Sequence, residues 1–465
     1  VSTPDPSPRK PRRAGLNPAV RAEPRGIGTS RARDPLAREV KLLGALLGQV
    51  IVEQAGEDLL NLVERVRRST IEVRRTGSPA ARRALARLLD RISREEAEGL
   101  IRAFSLYFQL TNLAEEKQRV RRLRQMARAA PRGIREGSIA AAVDLLRREE
   151  GAAAASHAAS QLSIGLVLTA HPTEARRRTV LLALRRCYRL LDGLDDPRLT
   201  PDEDAETRRR LREEIGLLWH TSPLRIERPT PLDEARTAMA FFDESLYIVT
   251  PRLYRAMDRA LDARSSVGRT GPGRPATDTG RTGTRPPRTP VFLRWGSWVG
   301  GDRDGNAGVT AATTRRAVRI QADHVLRGHE AVARRLMQTV ASTVSVDATD
   351  HRLSERLALD DRDLGAVAAA LDERFPAEPY RRRCGAIAER LQRTRLRLVD
   401  GLADRDPRVR GAYADPAHLL EELDELRDAL LADRQARVAW GDLLDFRWQV
   451  ETFGFHALDL EVRQH

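Results

Sequence analysis

The chain has 465 residues, of which 32% are charged and 4% aromatic, and its long Leu/Ala/Arg/Glu segments favour a mostly helical protein of one large or two to three ordinary domains. No apolar run approaches the roughly 18–20 residues of a membrane span, and the basic, Pro-rich start lacks the apolar stretch of a secretory signal. The net charge of +15 points toward nucleic acid, but residues 1–33 contribute +6 of it and residues 264–290 another +5. Both stretches are rich in Pro, Gly, Ser and Thr and read as disordered, which leaves the patterned remainder nearly balanced.

In chain order, residues 1–33 form a basic tail and residues 34–160 an N-terminal helical region. The spacing of Leu43, Leu46, Leu47 and Val50, repeated by Leu59, Leu62, Val63 and Val66, predicts two amphipathic helices separated at Gly56. Residues 102–122 bring Phe104, Tyr107, Phe108 and Leu110 onto a helix expected to cross the core. Glu115 and Glu116 on it read as ion-pair partners of Arg119 and Arg122 rather than as an acid/base pair. An Ala-rich helix over 138–157 then leads into the first informative stretch.

That stretch is GLVLTAHPTEARRRT, Gly165 to Thr179. The run Ile164 to Leu168 suits a buried strand, and from Thr173 the pattern turns helical, with Val180, Leu181, Leu184 and Tyr188 on one face. Thr173 can cap this helix and Glu174 suits its positive end. His171 would therefore stand at a strand end, beside a helix N-terminus and Arg176, Arg177 and Arg178, a setting suited to a phosphorylated anion. The competing reading is a histidine satisfied in the core. Cys187 lies in this helix, and Cys384 in another; both are expected as free thiols in a reducing cytoplasm.

A helix over 201–220 follows, then the extended TSPLRIERPTPLDEAR, in which Arg228 reads as solvated and Arg225 stays open. The next helix runs from Leu232 toward Ala263, with Pro251 as the expected break. The second informative stretch is VFLRWGSWVGGDRDGNAGVT, Val291 to Thr310: an apolar strand runs into Gly300, Gly301, Asp302, Arg303, Asp304, Gly305 and Asn306. Its glycines permit close approach to a ligand. It is not a calcium loop, because counting from Asp302 the position 6 that requires Gly is Ala307 and position 12 is Thr313. A tight turn stapled by Asp–Arg pairing is the competing reading. Residues 311–450 are helical again. His324 and His329 are five apart, off the face a helical metal site prefers, and take no ligand role. In the final FRWQVETFGFHALDLEVRQH, the alternation of Leu458, Leu460 and Val462 suggests a third strand ending at Arg463 and Gln464. Strands ending in polar clusters are the pattern of a (β/α) barrel.

These stretches resemble the phosphoenolpyruvate carboxylase family. The resemblance includes LVLTAHPTEARRRT, LLWHTSPLRIERPTPLDEAR, GSWVGGDRDGNAGVT, EPYRRRCGAIAERL and FGFHALDLEVRQH, with VKLLGALLGQVIVEQAG and RAFSLYFQLTNLAEE near the start. It runs from about Asp34 to His465, apart from the insert at 264–290. The chain departs from the family at Thr221-Ser222-Pro223-Leu224-Arg225, where Thr-Asp-Glu-Ile-Arg is usual, at Val299, often Met, and at Gln118, often His. The resemblance implies a mostly α fold with a partial (β/α)8 TIM-type barrel, about three of whose strands lie in this chain, within residues 161–465. It implies conversion of phosphoenolpyruvate and bicarbonate to oxaloacetate and phosphate. His171 would act as the catalytic base, and Arg177, Trp298, Asp302, Arg303, Asp304, Asn306 and Arg463 would bind substrate. The family uses Mg2+ or Mn2+, whose ligands are expected outside this chain together with a glycine-rich catalytic loop and an aspartate-type inhibitor site. A cytoplasmic homotetramer is the expected assembly, with no membrane and no specific nucleic acid as partner. The chain begins with Val and stops inside a motif, so it is expected to be the N-terminal half of a longer reading frame, inactive alone. The alternatives are a basic helical scaffold that binds nucleic acid or a protein, and a regulatory half-enzyme.

Overall fold

The computed structural model describes residues 34–130, 134–169, 177–222, 229–262, 283–343 and 351–464. The first helices are α1 (Pro35–Ala55), α2 (Glu57–Thr76), α3 (Pro79–Leu89), α4 (Arg94–Ala129) and α5 (Ile139–Gln161), followed by β1 (Ile164–Leu168). Next come α6 (Arg178–Gly193), α7 (Pro201–His220), α8 (Pro231–Phe241), a π turn (Phe242–Leu246), α9 (Tyr247–Asp262) and β2 (Leu293–Ser297). The remainder is α10 (Ala311–Thr339), α11 (His351–Leu364), α12 (Ala366–Arg374), α13 (Pro379–Leu398), α14 (Pro416–Ala432), α15 (Ala436–Ala439), α16 (Asp442–Phe453) and β3 (Asp459–Leu460). The chain forms two compact units, Val1–Ala129 with Ala175–Ile226, and Ala130–Glu174 with Glu227–His465.

Among the described residues, the regular elements of the first unit are all helices. Asp34 caps α1 by accepting the Leu36 N–H, and Gly56, at φ 88°, breaks α1 from α2 as the sequence predicts. Leu42, Leu43, Leu46, Val50 and Ile51 form a core with Leu106, Leu110 and Leu113 of α4, Val180, Ala183 and Cys187 of α6, and Ile215 and Trp219 of α7. Buried Lys117 of α4 is enclosed by Glu39 at 2.8 Å and Asp195 at 3.1 Å, and it donates to the Leu191 carbonyl. These partners offset the cost of burying an ammonium. The ion pairing expected of Glu115 and Glu116 is absent among the described residues. Both point to solvent, and the pairing of this helix falls one position on, at Lys117 and Arg121.

The second unit holds the three strands in one parallel sheet, in the order β1-β2-β3. Ile164 of β1 lies opposite Leu293 and Leu168 opposite Ser297, whereas β2 and β3 pair only at Gly296–Asp459 and Ser297–Leu460. The expectation of a buried β1 is overturned: Ile164, Leu166 and Val167 are all exposed, because β1 is an edge strand with β2 as its one described neighbour. Beside the sheet, Tyr254, Phe292, Leu293, Leu444 and Trp448 form one core, while α10, α13, α14 and α16 build a larger one around Val325, Tyr380, Leu423 and Phe446. Within this unit, Arg383 of α13 is buried with Asp360 and Glu422, and Arg390 joins the same carboxylates. Cys187 and Cys384 are free and buried, and burial pushes both thiols up to about 12. No helix of the described residues is long and apolar enough to cross a membrane.

Pro251 does not break its helix. Its missing N–H would leave the Tyr247 carbonyl unsatisfied, and Gln449 of α16 donates to that oxygen at 2.8 Å instead. A π turn, Phe242–Leu246, lies just upstream of this helix.

Candidate functional site

The loop after β2 and the segment after β3 are laced together by backbone hydrogen bonds. Glu461 N–H donates to Ser297 O at 2.9 Å, Arg463 N–H to Gly301 O at 3.0 Å, and Arg303 N–H to Arg463 O at 2.9 Å. Asp302 and Arg463 form a parallel bridge. Between the Ser297–Leu460 pair and this bridge, the β2 side carries two more residues than the β3 side. They are taken up in a tight turn where Gly301 and Asp302 N–H both donate to Trp298 O. Two glycines make that turn feasible. Gly300 has φ 86°, and a Cβ there would come within 2.5 Å of Ala317; a Cβ at Gly301 would collide with the Glu461 carbonyl.

The turn brings the Trp298 indole beneath Arg463, whose guanidinium carbon stands 4.0 Å from the ring centroid. Such a separation is well within cation–π range. Glu461 accepts from the Trp298 indole N–H at 2.8 Å. Arg303 is half-buried, and its Nε is buried with no hydrogen-bond partner among the described residues. Asp302 accepts the Asp304 N–H, Asn306 accepts the Gly308 N–H at 3.1 Å, and both contacts shape the loop itself. Thr314 of α10 donates to Gly300 O at 2.9 Å, tying the loop to the helix that follows it.

Six of the residues expected in the site, Trp298, Asp302, Arg303, Asp304, Asn306 and Arg463, thus share one loop pair. Arg177 belongs to the first unit, where it stands as the N-cap residue of α6 without a side-chain capping bond. His171, the expected cap Thr173, Glu174 and Arg176 lie outside the described residues, as do Arg225 and Arg228. Glu461 escaped the sequence reading, although strand alternation places it on the same face as Arg463 two residues on. His324 meets Asp243 at 2.7 Å, and His329 is buried in hydrogen bonds described below. Among the described residues no group of three His, Cys, Asp or Glu could hold a metal ion.

These features define a helical protein built on a short parallel sheet, with charged side chains gathered past the strand ends, where α/β proteins place their ligands. The chain belongs to the phosphoenolpyruvate carboxylase family, whose pattern matches residues 36–465. It is 38% identical over 436 residues to a phosphoenolpyruvate carboxylase of Roseiflexus castenholzii, an alignment that covers 92% of this chain and 44% of the relative. It is 35% identical over 451 residues to one of Azoarcus sp. strain BH72, covering 93% and 45%. For one of Rhodopseudomonas palustris strain BisA53 the figures are 33% over 456 residues, 97% and 45%. The chain spans less than half the length of these relatives.

Proposed function

We propose that this chain is the N-terminal part of a phosphoenolpyruvate carboxylase and contributes the general base and part of the phosphate-binding surface. The observation that supports this reading most is the meeting of Arg463 with Trp298 and the GGDRDGN loop, two motifs far apart in sequence. Guanidinium groups grip phosphate oxygens in bidentate fashion, and the Nε of Arg303, without a hydrogen-bond partner among the described residues, suits an anionic guest. The three parallel strands would be part of a (β/α)8 barrel.

In the proposed reaction, a bicarbonate oxygen attacks the phosphorus of phosphoenolpyruvate, and the enol oxygen leaves with its electron pair as the enolate of pyruvate. Carboxyphosphate then loses its proton to His171 and splits into CO2 and phosphate. The enolate carbon attacks CO2 to give oxaloacetate. An imidazole titrating near neutrality suits the proton transfer. Arg463, Arg303 and Arg177 would hold the anions, Trp298 would present an apolar face to the methylene carbon, and Asp302, Asp304 and Asn306 would fix the loop. The family's Mg2+ or Mn2+ would be held by residues from the portion of the relatives that this chain does not span. A cytoplasmic homotetramer is the proposed assembly, and the isolated chain is proposed to be inactive. The nucleic-acid scaffold reading is not favoured by the family membership.

The test uses the full-length protein translated from the source reading frame. His171→Asn should suppress oxaloacetate formation more than bicarbonate-dependent release of phosphate from phosphoenolpyruvate. Equal losses of both would exclude His171 from the second step, and a full-length protein without carboxylation would overturn the assignment.

A further inference from the structure

His329 of α10 is fully buried, yet neither ring nitrogen lacks a partner. Nε2 lies 2.9 Å from the Gly454 carbonyl, an atom that can only accept, so Nε2 carries the proton. Nδ1 is then an acceptor, and the Tyr247 hydroxyl donates to it at 2.8 Å. Tyr247 is fixed in turn by Gln449, which donates to its carbonyl. Phe446 and Phe453 pack around these rings. Gly328 leaves room for Tyr247, whose ring atoms would stand 3.2 Å from any Cβ at that position.

Gly454 opens the turn that joins α16 to β3. Gly454 has φ 51°, and Ala457, three residues on, has φ 64°, a left-handed conformation that an alanine adopts only when its surroundings impose it. The turn ends directly in Asp459–Leu460, the strand that precedes Arg463. At its N-terminal end α10 also holds the other half of the site, because Thr314 donates to Gly300 O and Ala317 packs against Gly300. A single helix therefore references both partners of the Trp298–Arg463 contact.

We propose that His329 is a positioning residue: by holding the Gly454 carbonyl in one tautomer set by Tyr247, it fixes the turn before β3 and so places Arg463 over Trp298. Its catalytic relevance rests on the reading of that pair as the phosphate-binding surface given above. Such a role goes beyond packing, because a merely space-filling histidine would leave the strand register unchanged when its hydrogen bonds are removed.

Hydrogen exchange of the present chain, followed by mass spectrometry, tests the proposal. Tyr247→Phe removes the tautomer lock with little change of volume, and His329→Leu removes both bonds. Each should speed exchange in segments 298–306 and 457–464 by roughly tenfold while leaving α13 and α14 protected. His329→Gln, whose amide can still donate to Gly454 O, should restore most of the protection. Nitrogen NMR of the parent protein should show the Nε2–H tautomer. The proposal is overturned if 457–464 exchanges as in the parent, if exchange rises equally throughout the unit, or if His329→Gln behaves as His329→Leu. Added inorganic phosphate should slow exchange at both segments in the parent. Loosening by the variants without any effect of phosphate would leave His329 as the positioning residue and remove the phosphate assignment instead.

Discussion

Burial lowers the His329 imidazole to about 4, against 6.5 for an ordinary histidine. The unfolded chain thus binds this proton more readily than the native one. The native advantage is complete above pH 6.5 and is lost as pH falls from there through about 4, amounting to about 3 kcal/mol at the acid end. His329→Gln should flatten the dependence of stability on pH in this window, as measured by urea melts at pH 7 and pH 4.5. An unchanged slope would mean that His329 does not govern it. The sequence reading denied His329 a ligand role from its spacing with His324, but spacing along one helix cannot reveal a tyrosine and a glycine carbonyl brought from other elements. Residues whose role is local were easier to read. Gly300 and Gly301 are glycines because the turn under Arg463 has no space for a Cβ, and a glycine pair beside charged residues already signals such a turn.

At the scale of elements, the helices follow their periodicity closely, since an amphipathic stripe needs only a partner face of any identity. The segment across Pro251 shows where periodicity is insufficient. A proline ordinarily ends or kinks a helix, yet here a side chain from α16 satisfies the carbonyl that the proline abandons. Gln449→Leu should cost about 1–3 kcal/mol by leaving the Tyr247 oxygen buried and unpaired. Pro251→Ala restores a backbone donor, so the same change in that background should cost distinctly less; additive penalties in denaturant melts would contradict this account. The strands were legible as strands because their apolar runs end abruptly in polar clusters. The exposure of β1 was not, because burial depends on neighbours. β1 has the composition of a central strand and the exposure of an edge strand.

Over the whole molecule, the two compact units draw on stretches of sequence that alternate along the chain, a partition that no composition shift announces. The charge balance was readable, since the surplus sits in two Pro/Gly-rich stretches. The outer edge of β1, which pairs with no strand among the described residues and bears Ile164, Leu166 and Val167, is a template for association. The isolated chain should therefore self-associate with rising concentration, and Leu166→Lys should suppress this in sedimentation velocity. If the parent remains monomeric throughout the accessible range, the edge is not adhesive. The described site lacks its histidine motif, which lies outside the described residues, while α10 bonds both the loop after β2, at Gly300, and the turn before β3, at Gly454.

That helix restricts how the protein can change length over evolution. Between Thr314 and His329 each residue adds 1.5 Å of rise and about 100° of rotation. One inserted or deleted residue there would swing the imidazole away from Gly454 and uncouple the two segments that α10 holds together. Homologous chains should therefore accumulate gaps freely in the stretch corresponding to 264–290 and keep α10 at constant length from Thr314 to His329, even where their side chains diverge.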